Sequence, residues 1–432
     1  MALDLKQLKQ EIIEQYFEDD GNIPWIIGFS GGKDSTMLLQ LVWQALMTQP
    51  AGLRTRQIYV VCNNTLVENP KIIKYTNTVL QLLEKAAMVQ SMPVYVKKTT
   101  PLLEDTFWVN LLGKGYPAPN NTFRWCTDRL KINPTSEFIK STISEVGQAI
   151  ILLGTRKDES NSRARSIEKN KSQVESSRLR KHPLPNAYVY APITDVTTKE
   201  VWQYLLQNPS PWGASNRNLV TIYNNATGGD CPLITDISTP SCGNSRFGCW
   251  VCTVVKKDSS MQALIDNGEE WMEPMMQFRD MLAETRNDAD GRETTRRNGA
   301  EGIGAYTEKK RADMLEMLLE AQKEIRIKEP EMMLINYQEL IAIQVTWNRD
   351  GYFKYSVAAI YNKVYGTDLR DYDFTGNVEE NDILNDVCEP NDVALINELL
   401  ELQKSKFILV NNYGMQNDIE SHIDRFIKKT QL

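Results

Sequence analysis

Histidine is nearly absent from this chain, and its scarcity excludes a large class of sites. The 432 residues include two histidines, His182 and His422. They lie about 240 positions apart in the sequence. We therefore do not expect a two-histidine metal site or a catalytic histidine pair.

Long apolar runs and an excess of positive charge are also missing. No stretch of about 18 apolar residues occurs, so we expect no membrane-spanning helix and no membrane partner. The N-terminal residues alternate charged and apolar side chains without a signal-peptide core, which predicts a cytoplasmic protein. The formal net charge is -7, from 49 Lys and Arg against 56 Asp and Glu. Any contact with DNA must therefore come from a local basic patch.

The content of apolar residues and the positions of the cysteines indicate ordered domains and a candidate metal site. Hydrophobic residues make up 41% of the chain, enough for the cores of two or three ordered domains. Three of the seven cysteines are scattered, at Cys62, Cys126 and Cys388. The other four fall within 22 residues: Cys231, Cys242, Cys249 and Cys252. In a reducing compartment such clustering indicates a metal more than disulfides.

The first half of the chain alternates short apolar runs with helical stretches. This pattern predicts an α/β fold, a Rossmann-like parallel sheet covered by helices on both faces. The predicted strands cover residues 23–29, 57–62, 93–97 and 149–153, and the predicted helices include 35–47 and 70–89. Residues 156–181 are basic and lack apolar periodicity, so we predict a mobile loop there. We place a nucleotide-binding domain at 1–228, a Cys-rich metal-binding region at 229–290 and a mainly helical region at 291–432.

A glycine-rich segment between the first predicted strand and the next helix has the composition of a phosphate-binding loop. Paired glycines let backbone amides approach phosphate oxygens, and the N-terminus of the helix favours an anion. Lysine adds a positive charge, serine hydroxyls add donors, and Asp34 is a candidate ligand for Mg²⁺. The segment is not a Walker A loop, because Ile27 stands where the first glycine belongs. Its residues are Ser30, Gly31, Gly32, Lys33, Asp34, Ser35 and Thr36.

This segment, SGGKDST, resembles the pyrophosphate loop of the ATP pyrophosphatase superfamily, which includes phosphoadenylylsulfate reductases and tRNA thiolation enzymes. Residues 64–70, 124–131, 154–160 and 192–195 resemble further stretches of the reductase branch. The resemblance implies the adenine nucleotide alpha-hydrolase fold and adenylation of a substrate by ATP with release of pyrophosphate. It gives catalytic roles to Lys33 and Asp34 and nucleotide contacts to Gly154 and Arg156. Asn64 stands where the family usually has an aspartate.

Cys126 lies between cationic residues, Arg124 on one side and Arg129 and Lys131 on the other. Cations favour the thiolate, the form needed for nucleophilic attack or metal ligation. The residues leave three roles open: Cys126 carries a persulfide, ligates iron, or is simply buried. We include it among the candidate catalytic residues.

The four clustered cysteines end in a C-x-x-C turn, which suits a tetrahedral sulfur site. Four thiolates without a nearby histidine admit structural zinc or an iron–sulfur cluster, and a cysteine cluster without metal is a further alternative. Spacing alone does not choose between them.

Residues 247–258, which surround the C-x-x-C turn, closely resemble the DndC family of sulfurtransferases, which act in bacterial DNA phosphorothioation. Residues 211–213 and 291–292 fit the same family. The resemblance implies a [4Fe–4S] cluster held by the four clustered cysteines, with Cys126 as the substitute ligand. It also implies ATP and Mg²⁺ as cofactors, and DNA, a cysteine desulfurase as sulfur donor and other proteins of the phosphorothioation complex as partners.

Two other interpretations of the same residues stay open. One is a sulfonucleotide reductase like the phosphoadenylylsulfate reductases, which does not cleave ATP. The other is a binding module in which zinc holds the cysteines and nucleotide gates the binding of DNA or a partner. Iron and sulfide in the protein would disfavour the zinc module.

Overall fold

The computed structural model describes residues 3–19, 22–169, 178–226, 248–296, 299–352, 354–368, 392–393, 395–400 and 423. The chain divides into two compact units. Unit 1 contains Met1–Leu102 and Pro119–Met276, and unit 2 contains Leu103–Ala118 and Gln277–Leu432. The inclusion of residues 103–118 in unit 2 was not expected from the sequence. The predicted boundaries after residues 228 and 290 stay predictions.

A six-stranded sheet organises unit 1. Its strands are β1 (Trp25–Gly28), β2 (Ile58–Asn63), β3 (Val94–Thr99), β4 (Ala149–Leu152), β5 (Arg180–Lys181) and β6 (Ala187–Tyr190). Their order is β3-β2-β1-β4-β6-β5, and every pairing is parallel except that of β5 with β6. In register, Trp25 lies opposite Ile58 on one side and Ile150 on the other. The predicted α/β class and parallel sheet are confirmed.

Helices flank this sheet and account for the apolar pattern of the sequence. Those of unit 1 are α1 (Leu5–Phe17), α2 (Lys33–Met47), α3 (Pro70–Val89), α4 (Trp125–Thr127), α5 (Asn133–Val146), α6 (Asn161–Lys169), α7 (Thr198–Gln207), α8 (Asn216–Ala226) and α9 (Ser259–Asp266). All four residues of β4 are buried, as expected for a strand covered on both faces. Helix α3 has the predicted bounds: Pro70 occupies its first turn and the Asn69 side chain caps it.

The prediction of a mobile basic loop at 156–181 is wrong for its described part. Residues 157–159 form a 3₁₀ turn, 161–169 form α6, and 180–181 form β5. The hydroxyl of Ser160 accepts a hydrogen bond from the Arg163 amide at 3.1 Å, which caps the helix. Ile167 is the one apolar side chain that α6 buries. A helix with so little apolar surface shows no apolar periodicity in the sequence. The capping residue Ser160 is the one sequence signal of α6.

Unit 2 packs the segment 103–118 against helices from the end of the chain. Helix α10 (Glu273–Thr285) leads into this unit, followed by α11 (Glu308–Ile325), α12 (Tyr337–Arg349) and α13 (Val357–Tyr365). The indole nitrogen of Trp108 donates to the Leu334 carbonyl at 2.7 Å, and that of Trp347 donates to the Leu112 carbonyl at 2.8 Å. No helix within the described ranges is both long and apolar enough to cross a membrane.

Candidate functional site

The predicted phosphate loop connects β1 to α2 at the carboxyl end of the strand, where α/β proteins bind ligands. Gly31 has φ +72°, and a Cβ at this position would collide with the hydroxyl of Thr76. Gly32 is the N-cap of α2 and offers no side chain to the first-turn amides. The loop therefore has the backbone freedom and the helix N-terminus that a phosphate group needs.

Hydroxyl groups surround the loop. Ser35 Oγ accepts from the Ser30 amide at 3.3 Å and donates to the Gly32 carbonyl at 3.0 Å. The hydroxyls of Thr36 and Thr76 are buried and make no hydrogen bond within the described part of the chain. Thr76 belongs to α3, and sequence reasoning missed it because an isolated threonine on a helix gives no signal. Buried hydroxyls without a protein partner suit a polar ligand at this loop.

Asp34 lies between two cations. Its Oδ1 accepts from Arg156 Nε at 2.7 Å, and its Oδ2 lies 3.2 Å from Lys33 Nζ. Arg156 is 1% exposed and also donates to the Val196 carbonyl at 3.0 Å and to Thr198 Oγ1 at 3.2 Å. The contact of Arg156 with a nucleotide phosphate stays a prediction, since its described nitrogen contacts are with protein. Its observed contacts fix the carboxylate of Asp34.

Gly154 explains why this arginine reaches the loop. A Cβ on Gly154 would lie 2.9 Å from the backbone oxygen of Asp34, closer than real Cβ contacts allow. Glycine at the end of β4 thus lets two chain segments touch, and Arg156 follows two residues later. The structure brings together the predicted residues 30–36, Gly154 and Arg156.

Tyr223 on α8 also contacts the loop and was not foreseen. Its hydroxyl accepts from the Lys33 amide at 3.4 Å, and Lys33 Nζ lies 5.6 Å from the centre of its ring. Its pKa is raised, chiefly by burial and then by the carboxylate of Asp34. Nothing in the sequence around Tyr223 distinguishes it from a core tyrosine.

Three cysteines meet at the neighbouring strand end, and we call Cys126, Cys249 and Cys252 the thiol cluster. Residues 248–250 run antiparallel to residues 67–69, which follow β2. The Trp250 amide donates to the Val67 carbonyl at 2.9 Å. Cys249 Sγ lies 3.4 Å from Thr65 Oγ1. The C-x-x-C turn is thereby fixed to the sheet just beyond its carboxyl edge.

Cys126 reaches the cluster from a different part of the chain. It lies in α4, which continues through a π-helical turn at Asp128–Ile132 into α5. Asn63, the last residue of β2, donates to the Lys131 carbonyl at 3.1 Å and accepts from Thr135 Oγ1 at 2.9 Å. Asn64, in place of the family's aspartate, accepts from the Leu66 amide at 3.0 Å and turns the chain.

The electrostatics of the thiol cluster correct one expectation. Burial, followed by the neighbouring Cys249 and Cys252, raises the pKa of Cys126 to about 11. Burial also raises the pKa of Cys249, which Lys131 acts to lower. We expected the adjacent cations to favour a Cys126 thiolate, but desolvation of the thiol outweighs them. The thiolate of Cys249 in turn raises the pKa of Lys131.

The donor set suits a soft metal, although the described residues do not form a finished site. Cys231 and Cys242, two of the four predicted ligands, lie outside the described residues. Within the described ranges, no group of three or more His, Cys, Asp or Glu side chains is arranged to hold a metal ion. Three neighbouring thiols, of which Cys126 and Cys249 have raised pKa values, fit the chemistry of an iron–sulfur or zinc site, because a bound cation replaces their protons.

Comparisons with solved structures give only weak overall likeness. A phosphoadenylyl-sulfate reductase from Candida auris in complex with phosphate has 13% identity and TM-score 0.29, covering 49% of this chain and 91% of that one. An FMN adenylyltransferase from Candida glabrata has 13% identity and TM-score 0.30, covering 52% and 58%. The U34-tRNA thiolase NcsA from Methanococcus maripaludis, with its [4Fe-4S] cluster, has 15% identity and TM-score 0.27, covering 65% and 80%. At these scores the likenesses carry no argument about activity.

Sequence comparisons are more informative. An uncharacterized protein of Methanocaldococcus jannaschii is 28% identical over 189 residues, 44% of this chain. The match spans about a third of that relative's length, 32%. The phosphoadenosine phosphosulfate reductase domain matches residues 24–255. This match includes both the phosphate loop and the thiol cluster and covers more than half of the chain, which therefore belongs to the phosphoadenosine phosphosulfate reductase domain family.

Proposed function

We propose that this protein is an ATP-dependent sulfurtransferase that replaces a non-bridging oxygen of a DNA phosphodiester with sulfur. The observation that carries the proposal is the shared position of the phosphate loop and the thiol cluster. The loop follows β1, and Thr65, which contacts Cys249, follows the adjacent parallel strand β2. Carboxyl ends of adjacent parallel strands lie at one edge of a sheet, so ATP and sulfur would meet there.

The phosphate loop supplies the contacts that ATP needs. The N-terminus of α2 and the charge of Lys33 would hold the β- and γ-phosphates. Asp34 would ligate Mg²⁺, which prefers carboxylate oxygens and phosphate together. Arg156 and Lys33 hold the carboxylate of Asp34 in place without a metal. Gly154 allows the close backbone approach at this point.

The first chemical step makes the DNA oxygen a leaving group. One non-bridging oxygen attacks the α-phosphorus of ATP, the bond from that phosphorus to the bridging oxygen breaks, and pyrophosphate leaves with the electron pair. AMP is then joined to the DNA phosphate through the attacking oxygen. A phosphodiester anion is a poor electrophile, and nearby cations such as Lys33 would offset its charge.

The second step exchanges oxygen for sulfur. A sulfur nucleophile attacks the DNA phosphorus, and AMP leaves with the activated oxygen. If the sulfur is the outer atom of a Cys126 persulfide, a thiol reductant must then attack the inner sulfur of the cysteine. The S–S bond breaks, its electron pair stays on the DNA phosphorothioate, and the two thiol sulfurs form a disulfide.

The thiols also provide the ligands for an iron–sulfur cluster. We propose Cys231, Cys242, Cys249 and Cys252 as ligands of a [4Fe–4S] cluster, with Cys126 beside them as the sulfur relay or as a substitute ligand. When bound, the cluster would supply sulfur or electrons to the transfer step. A cysteine desulfurase would load the sulfur, and other proteins of the phosphorothioation complex would help to hold DNA against this acidic chain.

Product analysis tests the proposal. Anaerobically purified protein is given ATP, Mg²⁺, DNA and a sulfur donor, with the partner proteins present. We expect AMP, pyrophosphate and phosphorothioate dinucleotides after nuclease digestion, all lost in Lys33→Ala. Lys140→Ala, which removes an exposed lysine on α5, is the matched control. ADP and phosphate as products would contradict the adenylation step.

A second variant separates the two roles of Cys126. If Cys126 relays sulfur, Cys126→Ser keeps its iron content and its visible absorbance but makes no phosphorothioate. If Cys126 is a ligand, the same variant loses iron. Normal phosphorothioate formation in this variant would exclude both roles.

The family supports one alternative, a sulfonucleotide reductase. The match to the phosphoadenosine phosphosulfate reductase domain favours this reading directly. It predicts that the protein releases sulfite from a phosphosulfate nucleotide in the presence of a thiol reductant, without cleaving ATP. Sulfite release with no pyrophosphate from ATP would replace the sulfurtransferase proposal.

A further inference from the structure

A cavity of about 460 Å³ lies in unit 1 at the end of β4, apart from the residues of the phosphate loop. Leu153 and Thr155 line it, and these two residues flank Gly154. Its other walls come from α6 and from the hairpin of β5 and β6. The cavity thus begins one residue away from the glycine that contacts Asp34. This volume falls in the range of small-molecule sites.

Three cationic residues line the cavity. Arg163 comes from α6, and Arg180 and Lys181 come from β5. None of the described residues that line the cavity is acidic. Glu159 lies 3.4 Å from Arg163 Nε and is the one carboxylate paired with these three residues in the described chain. Arg180 is half-buried on an edge strand. A half-buried guanidinium in a cavity without acidic residues suits a phosphate.

His182 adds a donor beside these cations. Its Nδ1 accepts a hydrogen bond from the Leu184 amide at 3.1 Å. In a neutral ring this places the proton on Nε2, which is then a donor. His182 is one of only two histidines in the sequence, and no metal role accounts for it.

Apolar residues line the cavity beside these cations. Ile167 and Val189 are buried, and Leu153 and Pro183 also line the cavity. Val189 pairs with Arg180 across the β5–β6 ladder. An inorganic anion would leave these apolar side chains unused. A nucleotide unit combines an anionic phosphate with a flat base that packs on apolar side chains.

We infer that this cavity binds one nucleotide of a DNA strand, with the backbone phosphate at Arg163 and Arg180 and the base against Ile167 and Val189. The inference rests on the proposed function for the identity of the substrate as DNA. ATP has its own site at the phosphate loop, so the cavity would hold the second substrate. Leu153 and Thr155, which line the cavity, are the sequence neighbours of Gly154, and Gly154 packs against the backbone of Asp34 in the phosphate loop.

Fluorescence anisotropy of a labelled 20-nucleotide DNA tests the inference on the full chain. We expect Arg163→Ala/Arg180→Ala to weaken binding about tenfold at low salt and to reduce the slope of log affinity against log salt by about 1–2. The matched control is Arg178→Ala/Arg217→Ala, which removes two exposed arginines that do not line the cavity. We expect less than a twofold change in the control. Equal losses in both double variants, or none in the first, would overturn the inference.

Photo-crosslinking locates the DNA independently of affinity. DNA that carries 5-iododeoxyuridine should crosslink to peptides from residues 153–167 or 178–190. Crosslinks found only elsewhere would overturn the assignment. If the double variant loses binding of a phosphosulfate nucleotide and not of DNA, the cavity is a sulfonucleotide site and the inference is wrong.

Pyrophosphate release, measured in the same samples, separates this inference from the proposed function. If DNA binding depends on the cavity but neither AMP nor pyrophosphate forms, the result supports DNA binding by the cavity and contradicts the proposed sulfurtransferase activity. Normal pyrophosphate release and phosphorothioate formation in the cavity variant would support the sulfurtransferase and contradict the cavity.

Discussion

The phosphate loop and the thiol cluster lie at the same edge of the sheet but are stabilised in different ways. In the loop, the carboxylate of Asp34 pairs with both Arg156 and Lys33, so it has protein partners without a ligand. In the thiol cluster, Cys126 and Cys249 are partly buried, and desolvation and the neighbouring thiols raise their pKa values.

The two sites therefore differ in how far each is formed before its ligand binds. The loop is fixed by ion pairs and by glycine contacts, so it has its shape before a ligand enters. The raised pKa values of Cys126 and Cys249 favour the protonated thiols, so a cation that binds them releases protons, and we expect its uptake to depend steeply on pH.

Removal of Arg156 should have the largest effect, because it removes the buried cation that pairs with Asp34 in the loop. Arg156→Ala loses the ion pair with Asp34 and the hydrogen bonds to Val196 and Thr198. We expect a loss of about 2–4 kcal/mol in the stability of unit 1, since the arginine is buried and Asp34 only partly so. Hydrogen exchange at the amides of β4 measures it. Arg178→Ala, whose exposed side chain pairs with Glu14, should change exchange little.

Alkaline pH should destabilise the protein through Cys62. Burial, then the carboxylate of Glu68, raises the pKa of this thiol to about 11. The unfolded chain releases the proton at lower pH, so this stability is present below about pH 8.5 and is lost as pH rises toward 11. The loss reaches about 2–3 kcal/mol at the upper end. Thermal unfolding of Cys62→Ala should depend less on pH over this range, and an unchanged slope would contradict the assignment.

Lys131 should control the reactivity of Cys249 in metal-free protein. Its positive charge acts to lower the pKa of the Cys249 thiol. Lys131→Met should therefore raise that pKa, leave less thiolate at pH 8 and slow alkylation by iodoacetamide about 3–10-fold. Peptide mass spectrometry follows the modification of Cys249. Lys140→Met on α5 serves as control, and an equal rate in both variants would show that Lys131 does not act on this thiol.

Loss of the Tyr223 hydroxyl should have the smallest effect. Its contact with the Lys33 amide is long, 3.4 Å, and such a bond contributes at most about 0.5–1 kcal/mol. We expect the affinity of Tyr223→Phe for ATP to change less than about threefold, measured by equilibrium binding of a fluorescent ATP analogue. A tenfold loss would mean that the hydroxyl contacts the nucleotide and that the loop is less complete than the ion pairs indicate.

The phosphate loop was predictable because its residues are contiguous and its glycines have a direct backbone role. The bounds of β1 to β4, to within two residues, and helix α3 followed in the same way from apolar runs and from the Asn69-Pro70 start, whereas β5 lies in the segment predicted as a loop. Thr76 and Tyr223 were not predictable, because they reach the loop from helices that look like ordinary core helices. The meeting of Cys126 with Cys249 depends on the pairing of residues 67–69 with 248–250, and no local pattern encodes it.

The cations near Cys126 illustrate a second limit. Adjacent charge in the sequence suggested a thiolate, but the pKa depends on how far each group is removed from water. Arg124 turns to Asn121, with a nitrogen–oxygen distance of 3.1 Å. The groups that lower the pKa of Cys126 are the Thr127 side chain and Lys131, so Lys131 is the one of the three nearby cations that acts on this thiol. Burial is a property of the folded chain, so sequence reasoning overestimated the effect of the nearby cations on the pKa of Cys126.

The assignment of residues 103–118 to unit 2 has a consequence for the order in which the protein is made. This segment carries side chains that end up buried, among them Phe107, Trp108 and Leu111. The rest of its unit begins at Gln277, about 160 residues later in the chain. At about 5–20 residues per second, a ribosome needs roughly 10–30 s to make that stretch. During this interval the apolar segment has no native partner, so the emerging chain depends on chaperones at this point more than a chain of consecutive domains would.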